Sequence, residues 1–399
     1  MAASETSDTP ALPRISDATL RDTAHMAGVD LTPEDALRIA TLLGQVGVDL
    51  VEVGIVSADA PRDMALVATV LDALGADRVM TVVLARSREQ TRRDLELVSQ
   101  LGCRAVMLSI PTSREHSALK LGTDDPRRAA ALARVTIRDA KALGMTVTFS
   151  AEDGARTSPD VLAQYVATGA AAGADRFRLA ETVSTLLPSD CRELVAGLTA
   201  VAGETEIEVH CHNMLGLAVA NSIAAVEGGA RWISATVSGT GERGGNTPLA
   251  EVLCCLRCCR GDDRYALEHL TPLTREVAAR SGVAASPTAG PTGELSFCYE
   301  IPGQLRHPEA FEAIAAETVG NRRFARVRTR VTAALLDMCL PRDVAEQLDL
   351  DLVAADLSAN PLAARGVWTE ADLAAAGRQR LVEAGHGPGR PVRNEPEGP

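Results

Sequence analysis

Eight short apolar runs alternate with longer amphipathic segments along the first 260 residues, and this alternation restricts the possible folds more than any other feature of the chain. Apolar runs of this length, bounded by Gly and polar residues, are typical of strands. The predicted strands are Arg14–Ala18, Leu50–Val53, Val79–Leu84, Ala105–Leu108, Thr146–Phe149, Arg176–Leu179, Ile207–His210 and Trp232–Val237. Most of the segments between them begin with Pro and are followed by Gly, which is typical of helices. The predicted helices are Pro33–Val46, Pro61–Leu74, Arg88–Leu101, Pro126–Leu143, Pro159–Ala172, Pro188–Val201, Leu217–Gly228 and Pro248–Arg260.

Strands that alternate with helices predict a parallel sheet, because each helix returns the chain to the same edge. Eight such units in about 250 residues is the number found in a (β/α)8 TIM barrel. An open, doubly wound sheet is the alternative, but it rarely needs eight regular units. We therefore predict an α/β protein with a TIM barrel over residues 14–260.

The alternation stops after Arg260, which predicts a different organisation for the rest of the chain. Residues 261–380 are predicted to form a linker and a small, mostly helical C-terminal subdomain. Residues 1–13 and 381–399 are polar or rich in Gly and Pro, so they are predicted to be disordered.

Composition excludes several classes of partner. The formal net charge of -13 disfavours binding to nucleic acid or to anionic membranes. The sequence has no apolar run long enough to cross a bilayer and no secretory leader pattern, so we expect a cytoplasmic protein.

Four of the nine cysteines lie in residues 254–259 with helical spacing. Because no second cysteine pair could complete a zinc site, we interpret them as buried, reduced thiols on a helix.

Polar residues follow most of the predicted strands, and the active sites of TIM barrels are built at that end. Charged groups gathered at one end of a barrel are costly unless they bind something. These candidate positions are Arg21, Asp22 and His25 after the first strand, Glu52 in the second, Glu152 after the fifth, Thr182 after the sixth, His210 and His212 at the seventh, and Asn246 after the eighth.

The sequence His210-Cys211-His212 predicts a metal site. Residues two apart on a strand lie on one face, about 7 Å apart at the backbone, so both imidazoles can reach one ion. Asp22 would complete a set of two histidines and one carboxylate that leaves positions open for substrate and water. Mg2+, Mn2+, Fe2+ and Zn2+ all suit such a set.

These segments resemble those of the metal-dependent TIM-barrel acyltransferases and lyases. This group comprises isopropylmalate, homocitrate and citramalate synthases, HMG-CoA lyase and some 4-hydroxy-2-oxoacid aldolases. Residues 17–22 resemble its opening signature, residues 210–221 resemble the synthases' His-x-His-Asn-Asp signature, and residues 239–246 resemble their Gly-Glu-Arg-x-Gly-Asn loop. Further synthase-like segments are residues 110–120, 150–156 and 181–183.

The resemblance implies a ligand set for a divalent ion. Asp22, His210 and His212 would bind Mg2+, Mn2+ or Zn2+, with Asn246 in or beside the ligand shell. Arg21 would stabilise the alkoxide that forms on the substrate.

The resemblance also implies a reaction and a set of substrate contacts. Acetyl-CoA would be enolised and would attack the ketone of a 2-oxo acid, and hydrolysis of the thioester would release CoA and a 2-substituted malate. Glu152 would tune or relay the proton taken from the acetyl methyl group, Thr182 would hold the substrate carboxylate, and Glu52 would belong to the same site. Ser113 and His116 are weaker candidates for the rim. A homodimer is expected, with residues 261–380 placed over the partner's barrel mouth.

Two departures from the synthase pattern lie within the barrel. Synthases usually carry Gly-Glu-Gln after the opening Arg and acidic residue, whereas this chain has Thr23-Ala24-His25. His25 resembles the acid/base histidine of the aldolases, so it is predicted to transfer a proton or to select the substrate; a hydrogen-bonding histidine in place of Gln is the alternative. Met214 replaces an acidic residue, which removes one charge near the predicted ion.

A third departure lies beyond the barrel. Residues 293–303 keep parts of a synthase segment but lose its Ser-Gly-Ile-His ending, which leaves the enolising base open. This divergence suggests a specialised synthase, with phosphonopyruvate or a phosphinyl analogue as one hypothetical oxo acid. A carbon–carbon lyase or aldolase and a non-catalytic barrel subunit remain the alternatives.

Overall fold

The computed structural model describes residues 11–328, 330–359 and 367–383, and the chain divides into two compact units. The first unit ends at Gly293 and is built around a closed barrel of eight parallel strands in sequence order, in which the eighth strand pairs with the first. The strands are β1 Arg14–Asp17, β2 Leu50–Ile55, β3 Val79–Leu84, β4 Ala105–Pro111, β5 Thr146–Glu152, β6 Arg176–Glu181, β7 Glu206–Cys211 and β8 Trp232–Ala235. The predicted TIM barrel is confirmed.

Helices connect the strands around the outside of the barrel. They are α1 Pro33–Val46, α2 Pro61–Leu74, α3 Arg88–Gln100, α4 Arg114–Leu121, α5 Pro126–Ala142, α6 Pro159–Ala171, α7 Pro188–Ala202, α8 Ala218–Glu227, α9 Leu249–Arg260 and α10 Leu270–Ser281. The eight helices predicted from the sequence are present, and α4 and α10 are additional. Among the described residues, no helix has both the length and the apolar character that a membrane span requires.

The ends of α1 show why the helix boundaries can be read from the sequence. Thr32 and Asp35 form a capping box: the Thr32 hydroxyl accepts from the Asp35 amide at 3.2 Å and the Asp35 carboxylate accepts from the Thr32 amide at 2.9 Å. Pro33 occupies the first turn, where no amide hydrogen is needed. Gly47 ends the helix with a φ of 87°, which a residue with a side chain rarely adopts.

Part of the barrel interior is lined by apolar residues. Met80, Val82, Met107 and Trp232 form one buried cluster with Leu50. The Trp232 ring lies between two arginines, with the guanidinium carbons of Arg14 and Arg176 at 4.3 and 3.4 Å from its centre. This layer supports the polar residues that continue toward the carboxyl ends of the strands.

The second unit begins at Glu294 and is mostly helical, as predicted. It also contains a three-stranded sheet, which was not predicted because strands of two to four residues show no detectable period. Its elements are β9 Cys298–Tyr299, α11 Pro302–Arg306, β10 Phe324–Val327, α12 Ala333–Cys339, α13 Arg342–Ala345, α14 Leu350–Ala359, β11 Trp368–Thr369 and α15 Glu370–Glu383. Leu335, Leu336 and Leu373 are fully buried in its apolar core.

The ends of the predicted domains can be compared with the described residues. Helix α10 belongs to the first unit, where Arg280 pairs with Asp35 at 3.3 Å, although the sequence analysis assigned residues 261–380 to the linker and C-terminal subdomain. Residues 381–383, predicted as part of a disordered tail, lie in α15, and residues 11–13 precede β1 without regular structure. Residues 1–10 and 384–399 lie outside the described residues.

The buried carboxyl group of Asp17, at the end of β1, gives a test of the barrel's stability. Its Oδ1 accepts from the Thr19 amide at 2.9 Å, while Oδ2 has no partner among the described residues. Burial raises the pKa of Asp17 to about 7. Because this pKa is higher in the folded than in the unfolded chain, ionisation destabilises the fold as the pH rises from about 4 to 7, and the penalty is complete above pH 7.

Asp17→Asn should therefore be more stable than the wild type above pH 7, by up to about 4 kcal/mol, and the difference should shrink toward pH 4. Urea unfolding at pH 5, 6.5 and 8 would measure it. Asp77→Asn is the control, because Asp77 is exposed and should give little change at any pH. A pH-independent difference for Asp17→Asn would contradict the prediction.

Candidate active site

A cavity of about 260 Å3 opens at the carboxyl end of the barrel. Each of the eight strands, or the loop that follows it, contributes at least one lining residue. The lining residues are Arg21, Asp22, Ile55, Val82, Leu84, Arg86, Met107, Ser109, His116, Lys120, Ser150, Glu152, Arg178, Ala180, Thr182, His210, His212, Glu242 and Arg243. The cavity therefore lies where TIM-barrel active sites are found.

The structure brings together the three residues that the sequence predicted as metal ligands. One ligand atom each from Asp22, His210 and His212 lies within 4.8 Å of the other two, and all three residues are buried. In the part of the chain that the structure describes, this is the one group of three or more such residues close enough to hold an ion. Asp22 reaches the site from the π-helical turn Thr19–Thr23 directly after β1.

Hydrogen bonds fix the orientation of both imidazoles. His212 Nδ1 lies 3.0 Å from the Gly245 carbonyl oxygen, which can only accept, so Nδ1 carries the proton and Nε2 keeps its lone pair. His210 Nδ1 lies 2.9 Å from the Ser234 hydroxyl. Burial lowers the pKa of His212 to about 4 and lowers that of His210 well below its ordinary value. Both rings are therefore neutral at pH 7, as metal-binding imidazoles must be.

Asn246 lies beside this set, and a loop rich in glycine holds it there. Its Nδ2 is 2.5 Å from Asp22 Oδ2, and its buried Oδ1 has no partner among the described residues. A side chain at Gly241 would clash with it, since an added Cβ would lie 2.1 Å from Asn246 Nδ2. One carboxylate, two neutral imidazoles and an unpartnered amide oxygen form a group of acceptors that fits a divalent cation.

A buried network of ion pairs holds Arg21 at the cavity floor. Arg21 Nε donates to Glu52 Oε1, and its Nη1 lies 2.9 Å from Asp22 Oδ1. Arg178 lies 2.6 Å from the other Glu52 oxygen and 3.0 Å from Glu208, and it is almost fully buried. Burial alone would raise the pKa of Glu52, but Arg178 and Arg21 lower it to about 2, so this carboxylate stays ionised. Glu52 therefore positions Arg21.

Glu152 organises the opposite side of the cavity. Its carboxylate lies 2.8 Å from His116 Nδ1 and 3.2 Å from Arg86, and it accepts a hydrogen bond from Lys120. Burial acts to raise the pKa of Glu152, but Lys120, His116 and Arg86 outweigh it and lower the pKa below its ordinary value. Glu152 is therefore ionised at neutral pH.

Thr182 lines the cavity between these two sides. Its hydroxyl oxygen accepts from the backbone amide of Asp153 at 3.1 Å. Because the oxygen is engaged as an acceptor, the hydroxyl hydrogen can point into the cavity and donate there.

Four predicted site residues do not line the cavity. Two of them, Glu52 and Asn246, contact the lining residues Arg21 and Asp22, whereas the other two have partners elsewhere. His25 Nε2 lies 2.9 Å from Asp63, which also accepts from the Ile55 amide, so the structure pairs His25 with α2 rather than with Asp22. Ser113 is buried and caps α4, where its hydroxyl accepts from the His116 amide at 3.2 Å. The pattern Ser-x-x-His just before a helix is consistent with that capping role.

Arg86, Lys120, Arg178 and Arg243 also line the cavity, although the sequence analysis assigned them no role. The position of Arg86 could have been predicted from the alternation of side chains along a strand. Arg86 follows Val82 and Leu84 at intervals of two residues, so all three side chains point to the barrel interior. Lys120 follows His116 by four residues, which places both on one face of α4. The cysteine-rich segment lies in α9, as predicted, but the predicted burial holds only for Cys254 among its four cysteines. Cys255 is partly exposed, and Cys258 and Cys259 are exposed.

Comparison with known families identifies the group to which this barrel belongs. The model of the HMGL-like family matches residues 12–277. The chain belongs to the HMGL-like family. This confirms the predicted superfamily of metal-dependent acyltransferases and lyases.

The relatives are synthases of the predicted kind. A candidate (R)-citramalate synthase of Methanosphaerula palustris is 36% identical over 315 residues, which cover 78% of this chain but only 61% of that protein. The 2-isopropylmalate synthase of Sulfolobus acidocaldarius is 35% identical over 77% of this chain and 80% of its own. The homocitrate synthase of Methanopyrus kandleri is 38% identical over 77% of each chain.

Solved structures support the fold. The HMG-CoA lyase of Pseudomonas aeruginosa superposes with a TM-score of 0.61 at 18% identity, over 69% of this chain and 95% of the lyase. The HMG-CoA lyase of Brucella melitensis gives a TM-score of 0.59 at 17% identity, over 68% of this chain and 99% of the lyase. At this level of identity the likeness concerns the barrel alone.

Removing Arg178 should be strongly destabilising. Arg178→Met would leave the carboxylates of Glu52 and Glu208 buried without this partner, so we expect the free energy of unfolding to fall by about 3–5 kcal/mol. Urea unfolding at pH 7 would measure the loss. Arg88→Met is the matched control: Arg88 pairs with Asp139 at 2.8 Å but is mostly exposed, so its loss should change the free energy of unfolding little. Equal losses in the two variants would contradict the prediction.

Proposed function

We propose that this chain is an acyltransferase that condenses acetyl-CoA with a 2-oxo acid. The methyl carbon of acetyl-CoA forms a bond to C2 of the oxo acid, and water then cleaves the thioester, which gives a 2-substituted malate, free CoA and one proton. The observation that carries this proposal is the set Asp22, His210 and His212 beside Arg21 in the cavity. The names of the relatives, which include citramalate, isopropylmalate and homocitrate synthases, support it.

The chain's own residues divide the binding and the chemistry between them. Asp22, His210 and His212 would hold a divalent ion, with Asn246 beside them. Such an ion supplies a Lewis acid that polarises the 2-oxo group. Arg21 donates to the C2 oxygen as negative charge develops there, and its pairing with Glu52 keeps the guanidinium in place before the reaction.

Thr182 acts on the oxo acid, and Glu152 acts on acetyl-CoA. Thr182 donates its free hydroxyl hydrogen to the carboxylate of the oxo acid. Glu152 is ionised at neutral pH and can accept or relay the proton that leaves the acetyl methyl group. His116 contacts Glu152 and orients its carboxylate.

The wall opposite the ligand set favours an oxo acid with an apolar side chain. In a closed ring of eight strands, β3 and β4 lie across from β7 and β8, which puts Val82, Leu84 and Met107 opposite His210. The nearby cations Arg86 and Lys120 are already bound to Glu152. A dianionic side chain such as that of phosphonopyruvate would therefore meet an apolar surface, which weighs against that hypothesis.

The lyase alternative has less support in this geometry. It depended on His25 as an acid/base group at the site, whereas His25 pairs with Asp63 outside the cavity lining. A homodimer stays a prediction.

Metal-dependent release of CoA tests the proposed function. With acetyl-CoA and Mg2+, Mn2+ or Zn2+, we expect release with 2-oxoisovalerate or pyruvate to exceed release with 2-oxoglutarate, oxaloacetate or phosphonopyruvate. A thiol reagent would follow it, after subtraction of a protein blank because Cys258 and Cys259 are exposed. Asp22→Ala should lower kcat/KM roughly a hundredfold or more, and Asp77→Ala should leave it unchanged. No release with any acid would overturn the proposal.

The size of the apolar wall should set substrate preference. Met107→Ala enlarges the cavity opposite the ligand set, so kcat/KM for an oxo acid one or two methylenes longer should rise relative to the wild type's preferred acid. About fourfold per accommodated methylene is expected from the transfer free energy of a CH2 group. Val201→Ala, a partly exposed position on α7 outside the cavity lining, is the control. An unchanged preference would place the side chain of the oxo acid elsewhere.

A further inference from the structure

Arg243 makes a contact that the proposed reaction does not use. Its Nη2 lies 2.6 Å from Nε2 of His212. The proton of His212 is on Nδ1, which faces the Gly245 carbonyl oxygen at 3.0 Å. The guanidinium therefore donates to the lone pair of His212 Nε2.

An ion bound to the predicted ligand set needs this same lone pair. His210 and His212 both have Nδ1 engaged, with the Ser234 hydroxyl and the Gly245 carbonyl, so their Nε2 atoms are the ones available as ligands. His210 Nε2 lies 3.6 Å from Asp22 Oδ2, which places both atoms around one centre. His212 Nε2 cannot accept from Arg243 and bind an ion at once, because a ring nitrogen has a single lone pair.

The backbone aims Arg243 at the histidine. Arg243 has a φ of 58°, in the left-handed region, and it is followed by two glycines. An added Cβ at Gly244 would lie 2.5 Å from the Met214 backbone, and one at Gly245 would lie 2.0 Å from the Gly239 carbonyl oxygen. Close packing at Gly244 and Gly245 therefore holds the backbone of the loop in place, and this backbone directs the side chain of residue 243 toward His212.

Arg243 also has a second partner toward the cavity mouth. Its Nη1 lies 3.0 Å from Glu242 Oε2, and both side chains are more than a third exposed. The guanidinium can therefore leave His212 and keep an ion pair in a hydrated position. Leaving the histidine does not strand a buried charge.

We propose that Arg243 competes with the metal ion for His212 and is displaced toward Glu242 when the ion binds. Arg243 thereby weakens metal binding in two ways, by occupying a ligand lone pair and by placing a positive charge beside the cation. This inference rests on the proposed metal site but not on the acyltransferase activity.

Titration of the metal-free full chain with Mn2+, with free Mn2+ followed by its electron paramagnetic resonance signal, tests the proposal without an activity assay. Arg243→Gln should bind Mn2+ roughly ten- to a hundredfold more tightly than the wild type, the range expected for losing a hydrogen bond to a charged group. Arg243→Asn provides a second variant, because Asn tolerates the left-handed backbone, and it should also bind more tightly. Arg156→Gln is the matched control: it removes one positive charge from the same end of the barrel, where Arg156 pairs with Asp153, and should bind within about twofold of the wild type.

Equal or weaker binding by both Arg243 variants, or no Mn2+ binding by any of the chains, overturns the proposal. The ligand set is tested separately by Asp22→Ala. If Asp22→Ala binds Mn2+ as tightly as the wild type, the metal site itself is wrong; if it binds weakly while the Arg243 variants are unchanged, only the competition is wrong.

Discussion

Arg178 occupies the middle of the barrel, where a charged side chain is stable only if opposite charges surround it. It bridges Glu52 on β2 and Glu208 on β7. Glu52 in turn holds Arg21, and Arg21 contacts Asp22. The orientation of Arg21 and Asp22 thus depends on the ion pairs of Arg178 with Glu52 and Glu208. All three members of those ion pairs are buried, so the charges must neutralise one another.

Charged side chains are neutralised in different ways on the two sides of the cavity. On one side, buried carboxylates neutralise Arg21 and Arg178 from below. On the other, the single carboxylate of Glu152 gathers Arg86, His116 and Lys120. The first arrangement is almost completely buried, whereas the second is partly exposed. In the proposed reaction, the buried side would polarise the carbonyl group and the more accessible side would move the proton.

Much of the barrel could be predicted from the sequence because its signals are local. Pro at helix starts, Gly at helix ends and apolar runs gave the eight units, and strand periodicity placed His210 and His212 on one face. Two kinds of feature could not be predicted in this way. The partner of His25 is Asp63, a contact made across 38 residues, and the role of Arg178 depends on carboxylates from β2 and β7 that meet it only in the closed barrel. The short strands of the second unit were missed because two to four residues are too few to show a period.

The proposed ligand set contains residues from both ends of the barrel sequence. Asp22 follows the first strand and Asn246 follows the last, 224 residues later, and their side chains meet only where β8 closes against β1. During synthesis on the ribosome, the nascent chain therefore cannot form the complete proposed site until residue 246 has emerged and the barrel has closed. An ion held by the proposed ligand set would therefore bind only at the end of barrel assembly, and it would then link the first strand to the last.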